Sequence, residues 1–426
     1  MKLSSKFWLS LVIFSLVGQV AWVMENMYLN VFIYKEFHAS AGAISLMVGA
    51  SSVAATVTTL LIGALSDKLG KRKLFLCGGY ICWGLSIWAF ALLKMENMTR
   101  LFGAASAASA GIALVIVADC LMTFFGSSAN DAAFNAWLTD STDDSNRGKA
   151  EGVNAMMPML AILVVFGGAM FLDESWEGYW TVFFGVIGTL VLILGGLGFF
   201  LVNEPKVDTS GNQNFAKNLL YGFRPSVIRS NGKLYLTLAA FAVFGISIQI
   251  FMPYLILYYT ETLELTNYVF IFAPAILLAA AFTFFYGKRY DTKGFAPAIA
   301  PSLGLLMAGF LLLYFFRATA PVFIGTLVML CGYLSATAVF GAMLRDLTPE
   351  NKAGMFQGQR IIGQVLIPGI IGPAIGAAVL KNAQVITNAD GTTSFLPDRN
   401  IFLAAFVAAI AVWLVSIPLL KKEKIT

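Results

Sequence analysis

Three carboxylic acids lie inside long apolar runs of this chain, where an ionised side chain is costly unless it meets a cavity, a cation or a proton. Glu25 is in the first run, and Asp119 and Asp131 are in the fourth. Glu25 and Asp119 lie at matching distances from the middle of their runs, whereas Asp131 lies about 18 Å further along its helix at 1.5 Å per residue. We predict that these carboxyls bind and release a proton or a sodium ion. A structural polar role is the alternative for each.

The sequence gives little support to enzyme chemistry. His38 is the only histidine, and it lies between the first two apolar runs, so Ser-His and Cys-His catalytic arrangements inside those runs are excluded. The cysteines make no metal-binding or secreted-disulfide pattern, and all four lie within apolar runs: Cys77, Cys82, Cys120 and Cys331. We therefore expect no enzyme activity, no cofactor and no metal site.

The composition is that of a membrane protein. Hydrophobic residues make up 58% of the chain and charged residues only 12%, with a mean hydropathy of +0.79, whereas soluble proteins are about 25% charged. A helix needs roughly 20 apolar residues to cross the hydrocarbon. Twelve such runs are predicted as transmembrane helices, the first being too long for a signal peptide and expected to be retained. They are residues 7–34, 41–65, 74–93, 106–138, 152–172, 180–202, 234–259, 266–286, 296–316, 320–344, 354–380 and 399–419.

The basic residues predict the orientation of these helices. If the N-terminus is cytoplasmic, 22 of the 28 Lys and Arg residues fall in cytoplasmic segments. This asymmetry is the positive-inside pattern, so we expect both termini in the cytoplasm and the protein in the plasma or inner membrane. The net charge of +5 is then a topological signal, and no nucleic-acid partner is expected.

Two phrases occur twice in the chain. The first is Gly-x-x-x-Asp-x-x-Gly at 63–70, followed by three basic residues, and it returns at 287–294. The second is Leu-x-Asp-x-Thr at 138–142, with glycines at 148 and 152, and it returns at 344–348 with glycines at 354 and 358. The repeats predict two similar halves, residues 1–202 and 234–426, joined by a cytoplasmic linker at 203–233. The fold expected is an all-α membrane protein with twelve transmembrane helices in two pseudo-symmetric six-helix bundles.

The eleventh run is interrupted by several helix-breaking residues: Pro368, Gly369, Gly372, Pro373 and Gly376. At membrane depth the backbone groups that they free need protein or cavity water as partners. We expect close packing against a neighbouring helix, and a kink that gates the substrate is the alternative.

The segment from Gly63 to Lys73, Gly-Ala-Leu-Ser-Asp-Lys-Leu-Gly-Lys-Arg-Lys, resembles the loop 2-3 signature of the major facilitator superfamily. That resemblance implies the major facilitator fold and alternating access between two half-bundles. It also implies that acids, glycines and the arginine of these loops hold helix ends together in one state and release them in another. The gating residues expected are Gly63, Asp67, Gly70, Arg72, Asp140, Asp291 and Asp346. Charge that only orients the helices in the membrane is the alternative.

Two narrower resemblances point to a sugar. The segment from Trp22 to Asn30 is similar to the first helix of animal sugar and proton carriers related to the plant sucrose transporters. The segment from Asn130 to Asp140 is similar to a helix of the glycoside-pentoside-hexuronide cation symporters, in which an acid at the place of Asp131 helps to bind sugar and coupling ion. In the superfamily, helices one, four, seven and ten line a central cavity, which implies that Glu25 and Asp119 approach each other there.

The expected partners are a small-molecule substrate, a coupling ion and the lipid bilayer, and the protein is expected to be a monomer. No lysine or arginine lies deep in a predicted span, which favours a neutral or cationic substrate. The residues expected to contact it are Trp22, Asn26, Asn30, Gln249 and Tyr254. The leading hypothesis is proton-coupled uptake of a neutral sugar or glycoside. The alternatives are a proton-driven exporter of drugs or metabolites, a carrier of lipids or other metabolites, and a non-transporting membrane scaffold or sensor.

Overall fold

The computed structural model describes residues 3–143, 146–172, 176–205, 221–265, 267–348, 356–388 and 391–420, except for the side chains at positions 67 and 357. These residues form twelve helices long and apolar enough to cross a membrane, which confirms the predicted number. We number them α1 (Ser5–Phe37), α2 (Ala41–Ser66, continuing to Leu69), α3 (Arg72–Phe90), α4 (Ala104–Asp140), α5 (Arg147–Ala169), α6 (Tyr179–Leu201), α7 (Gly232–Thr262), α8 (Val269–Lys293), α9 (Phe295–Phe315), α10 (Thr319–Leu347), α11 (Gly358–Asn382) and α12 (Asn400–Leu420).

The predicted helix ends differ from the observed ends most at α8, which continues to Lys293 rather than to residue 286. An apolar run ends where the hydrocarbon ends, whereas a helix can continue through charged turns in the headgroup region. The last turns of α8 therefore carry Lys288, Arg289 and Lys293 beyond the apolar part of the helix.

The chain divides into two compact units, Met1–Ala39 with Ala50–Phe215, and Ser40–Gly49 with Ala216–Thr426. In the first unit α1 packs against α5 and α6, and α3 packs against α4 and α6. The second unit repeats these pairs, with α7 against α11 and α12, and α9 against α10 and α12. The linker predicted at 203–233 includes residues 206–220, which lie outside the described ranges. The halves 1–202 and 234–426 remain a prediction.

In the first unit, glycines allow α3 and α6 to approach each other closely. A Cβ at Gly84 would lie 2.6 Å from the Leu192 nitrogen, and one at Gly195 would lie 2.6 Å from the Ile81 nitrogen. A Cβ at Gly188 would likewise lie 2.9 Å from the Gly84 carbonyl oxygen. Because lipid provides no hydrophobic drive for helix association, close packing at small residues is what stabilises such a pair.

In the second unit, glycines of α11 pack closely against α7, as the run of glycines and prolines predicts. A Cβ at Gly372 would collide with the side chain of Gln249, and one at Gly376 would collide with the carbonyl of Ile250. The face of α11 that carries these glycines is therefore closed against α7.

Four of the transmembrane helices contain a π turn: α1 at Met24–Tyr28, α4 at Ser127–Phe134, α7 at Tyr258–Thr262 and α11 at Ile362–Leu366. Turns of this kind interrupt the regular hydrogen-bond ladder and are frequent at functional sites. Glu25 lies in the π turn of α1, and Asp131 lies in that of α4.

The remaining elements lie in the loops. A short helix, Met95–Phe102, connects α3 and α4, and its first backbone N–H donates to Glu36 Oε1 at 2.7 Å. A 3₁₀ turn at Tyr221–Phe223 and a helix at Pro225–Ser230 precede α7. Strands β1 (Val385–Thr387) and β2 (Thr393–Phe395) form an antiparallel hairpin between α11 and α12. Short 3₁₀ segments occur within α7 at Met252–Tyr254 and at the end of α11 at Leu380–Asn382.

Candidate functional site: buried carboxyls and polar links in the two units

Glu25 is buried in the first unit, with 7% of its surface exposed. Its Oε1 accepts a hydrogen bond of 2.8 Å from the Thr123 hydroxyl of α4. Its Oε2 is buried and has no hydrogen-bond partner among the described residues. The amide of the neighbouring Asn26 donates to the Trp22 carbonyl at 2.8 Å. Thr123 was not predicted, although its position one turn after Asp119 places both side chains on the same face of α4.

Asp119 is also buried, and it forms a hydrogen bond with the side chain of Ser51 in α2. Its Oδ1 has no hydrogen-bond partner in the described ranges. The Asp119 carboxyl is close enough to Glu25 for the two groups to interact electrostatically. The structure thus places together the two acids that have matching depths in α1 and α4. Their role in ion binding remains a prediction.

Asp131 is partly buried at the π turn of α4. Its Oδ2 accepts a hydrogen bond of 2.9 Å from the Ser127 hydroxyl, and the carboxyl acts on Glu25 more weakly than Asp119 does. Arg147 donates to Thr139 and Thr142 instead. The side-chain bond described for Asp131 therefore lies within its own π turn.

The three carboxyls have no compensating cation nearby in the described part of the chain. No lysine or arginine is among the groups that act on Glu25, Asp119 or Asp131. The described residues also contain no cluster of three or more metal-binding side chains. A buried carboxylate without a cation is destabilised, and a bound proton or ion removes that cost.

Trp22 lies in a polar chain that links three helices of the first unit. Its indole N–H donates to Asn130 Oδ1 at 3.1 Å, and the Asn130 amide donates to the Tyr80 hydroxyl at 2.8 Å. Tyr80 in turn donates to the Phe14 carbonyl at 2.7 Å. Gly18 makes room for the chain, because a Cβ there would collide with Asn130 and Tyr80. Trp22 was predicted to bind substrate, and the structure gives its N–H a partner inside the protein.

The two asparagines predicted to contact the substrate differ in exposure. Asn26 is exposed, whereas Asn30 is buried and donates to the Asn26 carbonyl at 2.8 Å. The side-chain amide oxygen of Asn30, Oδ1, has no hydrogen-bond partner among the described residues. Asn30 thus has a spare acceptor, and Asn26 has an accessible side chain.

The two substrate-binding residues predicted in the second unit pack inside it. Gln249 is partly buried against Gly372. Tyr254 is fully buried, and its hydroxyl donates to the Ala41 carbonyl at 2.9 Å, with the Pro373 carbonyl 3.3 Å away. This position does not support the prediction that Tyr254 contacts a substrate, because its ring and hydroxyl are both occupied within the unit.

The loop between α2 and α3 holds a buried arginine that joins two helices. Arg72 Nε donates to Asp140 Oδ2 at the end of α4, at 2.8 Å, and Nη1 donates to the Ser66 hydroxyl at 2.8 Å. Gly70 ends α2 in the left-handed conformation, with φ +62°. A Cβ at Gly63 would meet no atom within 4 Å, so packing does not require a glycine there. The predicted gating side chain of Asp67 lies outside those described.

The corresponding loop between α8 and α9 has a different link. Gly294 follows the end of α8 with a positive φ of +77°. Tyr290 donates from its hydroxyl to Asp346 Oδ2 near the end of α10, at 2.6 Å. Asp291, predicted as a gating residue, is exposed. The structure therefore brings Asp346 into a link between helices and leaves Asp291 at the surface.

A sequence profile of the Major Facilitator Superfamily matches residues 8–373. The chain belongs to the Major Facilitator Superfamily. It is therefore a multi-pass membrane transporter and not an enzyme. No curated protein is significantly similar to this transporter in sequence.

Solved structures share this fold along nearly the whole chain. A D-xylose-proton symporter superposes with a TM-score of 0.72 at 13% identity, covering 96% of this chain and 97% of that one. A bacterial homologue of the human lysosomal transporter Spinster, inward-facing and unoccupied, gives 0.72 at 14% identity, covering 97% of each chain. The nucleoside transporter NupG gives 0.70 at 14% identity, covering 97% and 99%. At these identities the likeness shows the fold alone.

Proposed function

We propose that this Major Facilitator Superfamily transporter takes up a small neutral solute, with sugars and glycosides as the leading class, and that a proton bound at Glu25 drives the uptake. The observation that carries the proposal is the buried Glu25 carboxyl beside Asp119, with one oxygen of each lacking a hydrogen-bond partner among the described residues. Both acids lie on helices that the superfamily resemblance assigns to the substrate cavity.

A proton fits this arrangement better than a cation of higher coordination number. The Thr123 hydroxyl already donates to Glu25 Oε1, and Oε2 has no hydrogen-bond partner among the described residues. A proton on Oε2 would make the side chain neutral and turn that oxygen into a hydrogen-bond donor. Two ionised carboxyls near each other in a buried site repel, so the pair favours the state with a shared or added proton. Asp131, the third acid within the spans, is the alternative site for the same role.

A neutral solute fits the polar groups near Glu25. On α1 the Asn26 side chain is exposed, and the Asn30 side-chain oxygen Oδ1 has no described partner. Asn26 can donate to and accept from a solute hydroxyl, and Asn30 Oδ1 can accept from one. A deep arginine or lysine, which an anionic substrate usually needs, does not occur in the sequence of these spans. The proton symport and xylose named for one structural neighbour agree with this assignment.

We further propose that both termini are cytoplasmic, since most of the basic residues fall in the segments assigned to the cytoplasm. We also propose that the protein works as a monomer in the plasma or inner membrane. The links Arg72–Asp140 and Tyr290–Asp346 then lie on the cytoplasmic side. There they would hold helix ends during one stage of transport.

The proposal can be tested with purified protein in proteoliposomes under an imposed pH gradient. Radiolabelled pentoses, hexoses, glycosides and nucleosides are offered one at a time, and a pH-sensitive dye reports the lumen. We expect accumulation of at least one neutral sugar or glycoside, together with proton movement in the same direction. Proton movement opposite to the solute would identify an exporter, and solute uptake indifferent to the pH gradient would remove the proton from the mechanism.

A further inference from the structure

An open groove of about 440 Å³ runs along the last three turns of α8. Aromatic residues line one end of it and basic residues the other. The lining residues are Phe282, Phe285, Tyr286, Lys288, Arg289, Thr292 and Lys293. Most of them recur at intervals of three or four residues, so they form one face of the helix.

The groove lies where the apolar part of α8 ends. Phe284 and Phe285 are 74% and 69% exposed, as expected for rings that face lipid at the edge of the hydrocarbon. From Phe285 the helix rises by about 5 Å to Lys288 and by about 12 Å to Lys293. The headgroup region on each side of a bilayer is roughly 5–8 Å thick. Lys288 therefore lies within the headgroup region, and Lys293 lies just outside it, from where its long side chain can reach back to a phosphate.

The charges in the groove are available to a ligand. Arg289 is held in place, since Nε donates to the Pro297 carbonyl at 2.8 Å and the guanidinium lies 5.8 Å from the centre of the Tyr286 ring. The ammonium groups of Lys288 and Lys293 form no ion pair within the described ranges. Asp291 is the acid nearest to them along the helix, and it does not line the groove.

We propose that this groove binds the headgroup of an anionic phospholipid, with its phosphate between Lys288 and Lys293 and an acyl chain along Phe282 and Phe285. Positive charge at headgroup depth attracts anionic lipids, and each basic residue near the surface contributes roughly a fivefold gain in binding. A free phosphate ion would use the lysines alone and leave the exposed aromatic end without a role. The occupant is therefore a lipid of the leaflet that faces the basic loops of the chain.

The test is native mass spectrometry of the full-length protein in detergent, titrated with cardiolipin, phosphatidylglycerol and phosphatidylethanolamine. We expect the two anionic lipids to bind and the zwitterionic lipid to bind far more weakly. Lys288→Gln/Lys293→Gln should weaken the binding of anionic lipid by roughly 30-fold, about fivefold for each lysine. Lys288→Arg/Lys293→Arg keeps the charge and should retain binding.

The matched control is Lys6→Gln/Lys149→Gln, which removes two exposed lysines assigned to the same membrane face of the other unit. It should leave binding at the α8 groove unchanged. Equal loss in the control and the groove variant would show that total charge, not the groove, attracts the lipid. Displacement of bound lipid by millimolar inorganic phosphate would overturn the lipid assignment in favour of a free anion. If the double variant does not fold, each single substitution is scored against the fivefold expectation.

Discussion

Tyr290 and Asp346 form in the second unit the link that Arg72 and Asp140 form in the first. The hydroxyl of Tyr290 donates to Asp346 Oδ2 at 2.6 Å, whereas Arg72 Nε donates to Asp140 Oδ2 at 2.8 Å. The repeat that relates the two loops has an offset of 224 residues, which aligns Tyr290 with Ser66 and puts an alanine, Ala296, at the place of Arg72.

The backbone of the two loops supports this alignment. Gly70 and Gly294 both have a positive φ, which a glycine accommodates without strain. Their N–H groups donate to the carbonyls of Ser66 and Tyr290, at 2.9 and 2.8 Å. Asp140 and Asp346 are likewise equivalent in the second repeat, which has an offset of 206 residues. One longer side chain, Tyr290, thus spans the distance that a serine and an arginine span together in the first unit.

Removal of the Tyr290 hydroxyl tests the link in the second unit. Tyr290→Phe keeps the ring and should lower the free energy of unfolding by about 1 kcal/mol, the usual net worth of a hydrogen bond. It should also change turnover while leaving solute affinity within a few-fold, if the link holds helix ends. Thermal unfolding in detergent and transport kinetics measure the two effects. Tyr314→Phe is the control, because no hydrogen bond of that hydroxyl is among the described contacts, and an equal effect there would argue against a specific link.

The ion pair in the first unit should matter more than an exposed pair of the same type. Arg72→Gln leaves Asp140 and Ser66 without their donor, and we expect a loss of about 1–3 kcal/mol in the free energy of unfolding, because the arginine is buried. Arg100→Gln breaks the Arg100–Glu96 pair, whose side chains are 73% and 59% exposed, and should have no measurable effect. Indistinguishable unfolding of the two variants would remove the structural role of Arg72.

Close packing of α3 on α6 predicts opposite outcomes for two glycines of the same helix. Gly84→Ala would bring a methyl group to 2.6 Å from the Leu192 nitrogen and should destabilise the first unit by about 1–3 kcal/mol. Gly78→Ala meets no atom within 4 Å and should stabilise the helix by about 0.5–1 kcal/mol. Thermal unfolding of both variants decides the matter, and a stable Gly84→Ala protein would mean that the helices are further apart.

The sequence predicts the fold of this protein well because its strongest signals are local. Apolar length defines the twelve spans, and the two repeated phrases define the equivalence of the halves. The depth of Glu25 and Asp119 in their helices also follows from counting residues, since each residue adds about 1.5 Å. That count gives only equal depth; the approach of the two acids was implied by the superfamily resemblance, which places helices one and four at the same cavity.

The rotation of side chains about each helix could not be predicted in the same way. Each residue turns a helix by about 100°, so a π turn such as Met24–Tyr28 changes which face the following residues present. Thr123 and Ser51, the hydrogen-bond partners of the two acids, and the burial of Tyr254 all depend on such rotations and on packing between helices. The Tyr290–Asp346 bond was missed for another reason. In the second unit one tyrosine replaces the serine and arginine of the first unit, so the bond to the aspartate is kept although the residue types differ.

The central claim is that a proton on Glu25 couples to solute movement, and Glu25→Gln tests it most directly. Glutamine keeps the size of the side chain and an oxygen that can accept from Thr123, but it cannot release a proton. Glu151→Gln, at an exposed acid in the second turn of α5, is the matched control.

The measurement is solute accumulation in proteoliposomes under an imposed pH gradient, compared in the same preparations with solute exchange at equal pH on both sides. We expect Glu25→Gln to lose accumulation against a gradient and to retain exchange, while Glu151→Gln retains both. Full pH-driven accumulation by Glu25→Gln would contradict the account and would transfer the coupling role to Asp131.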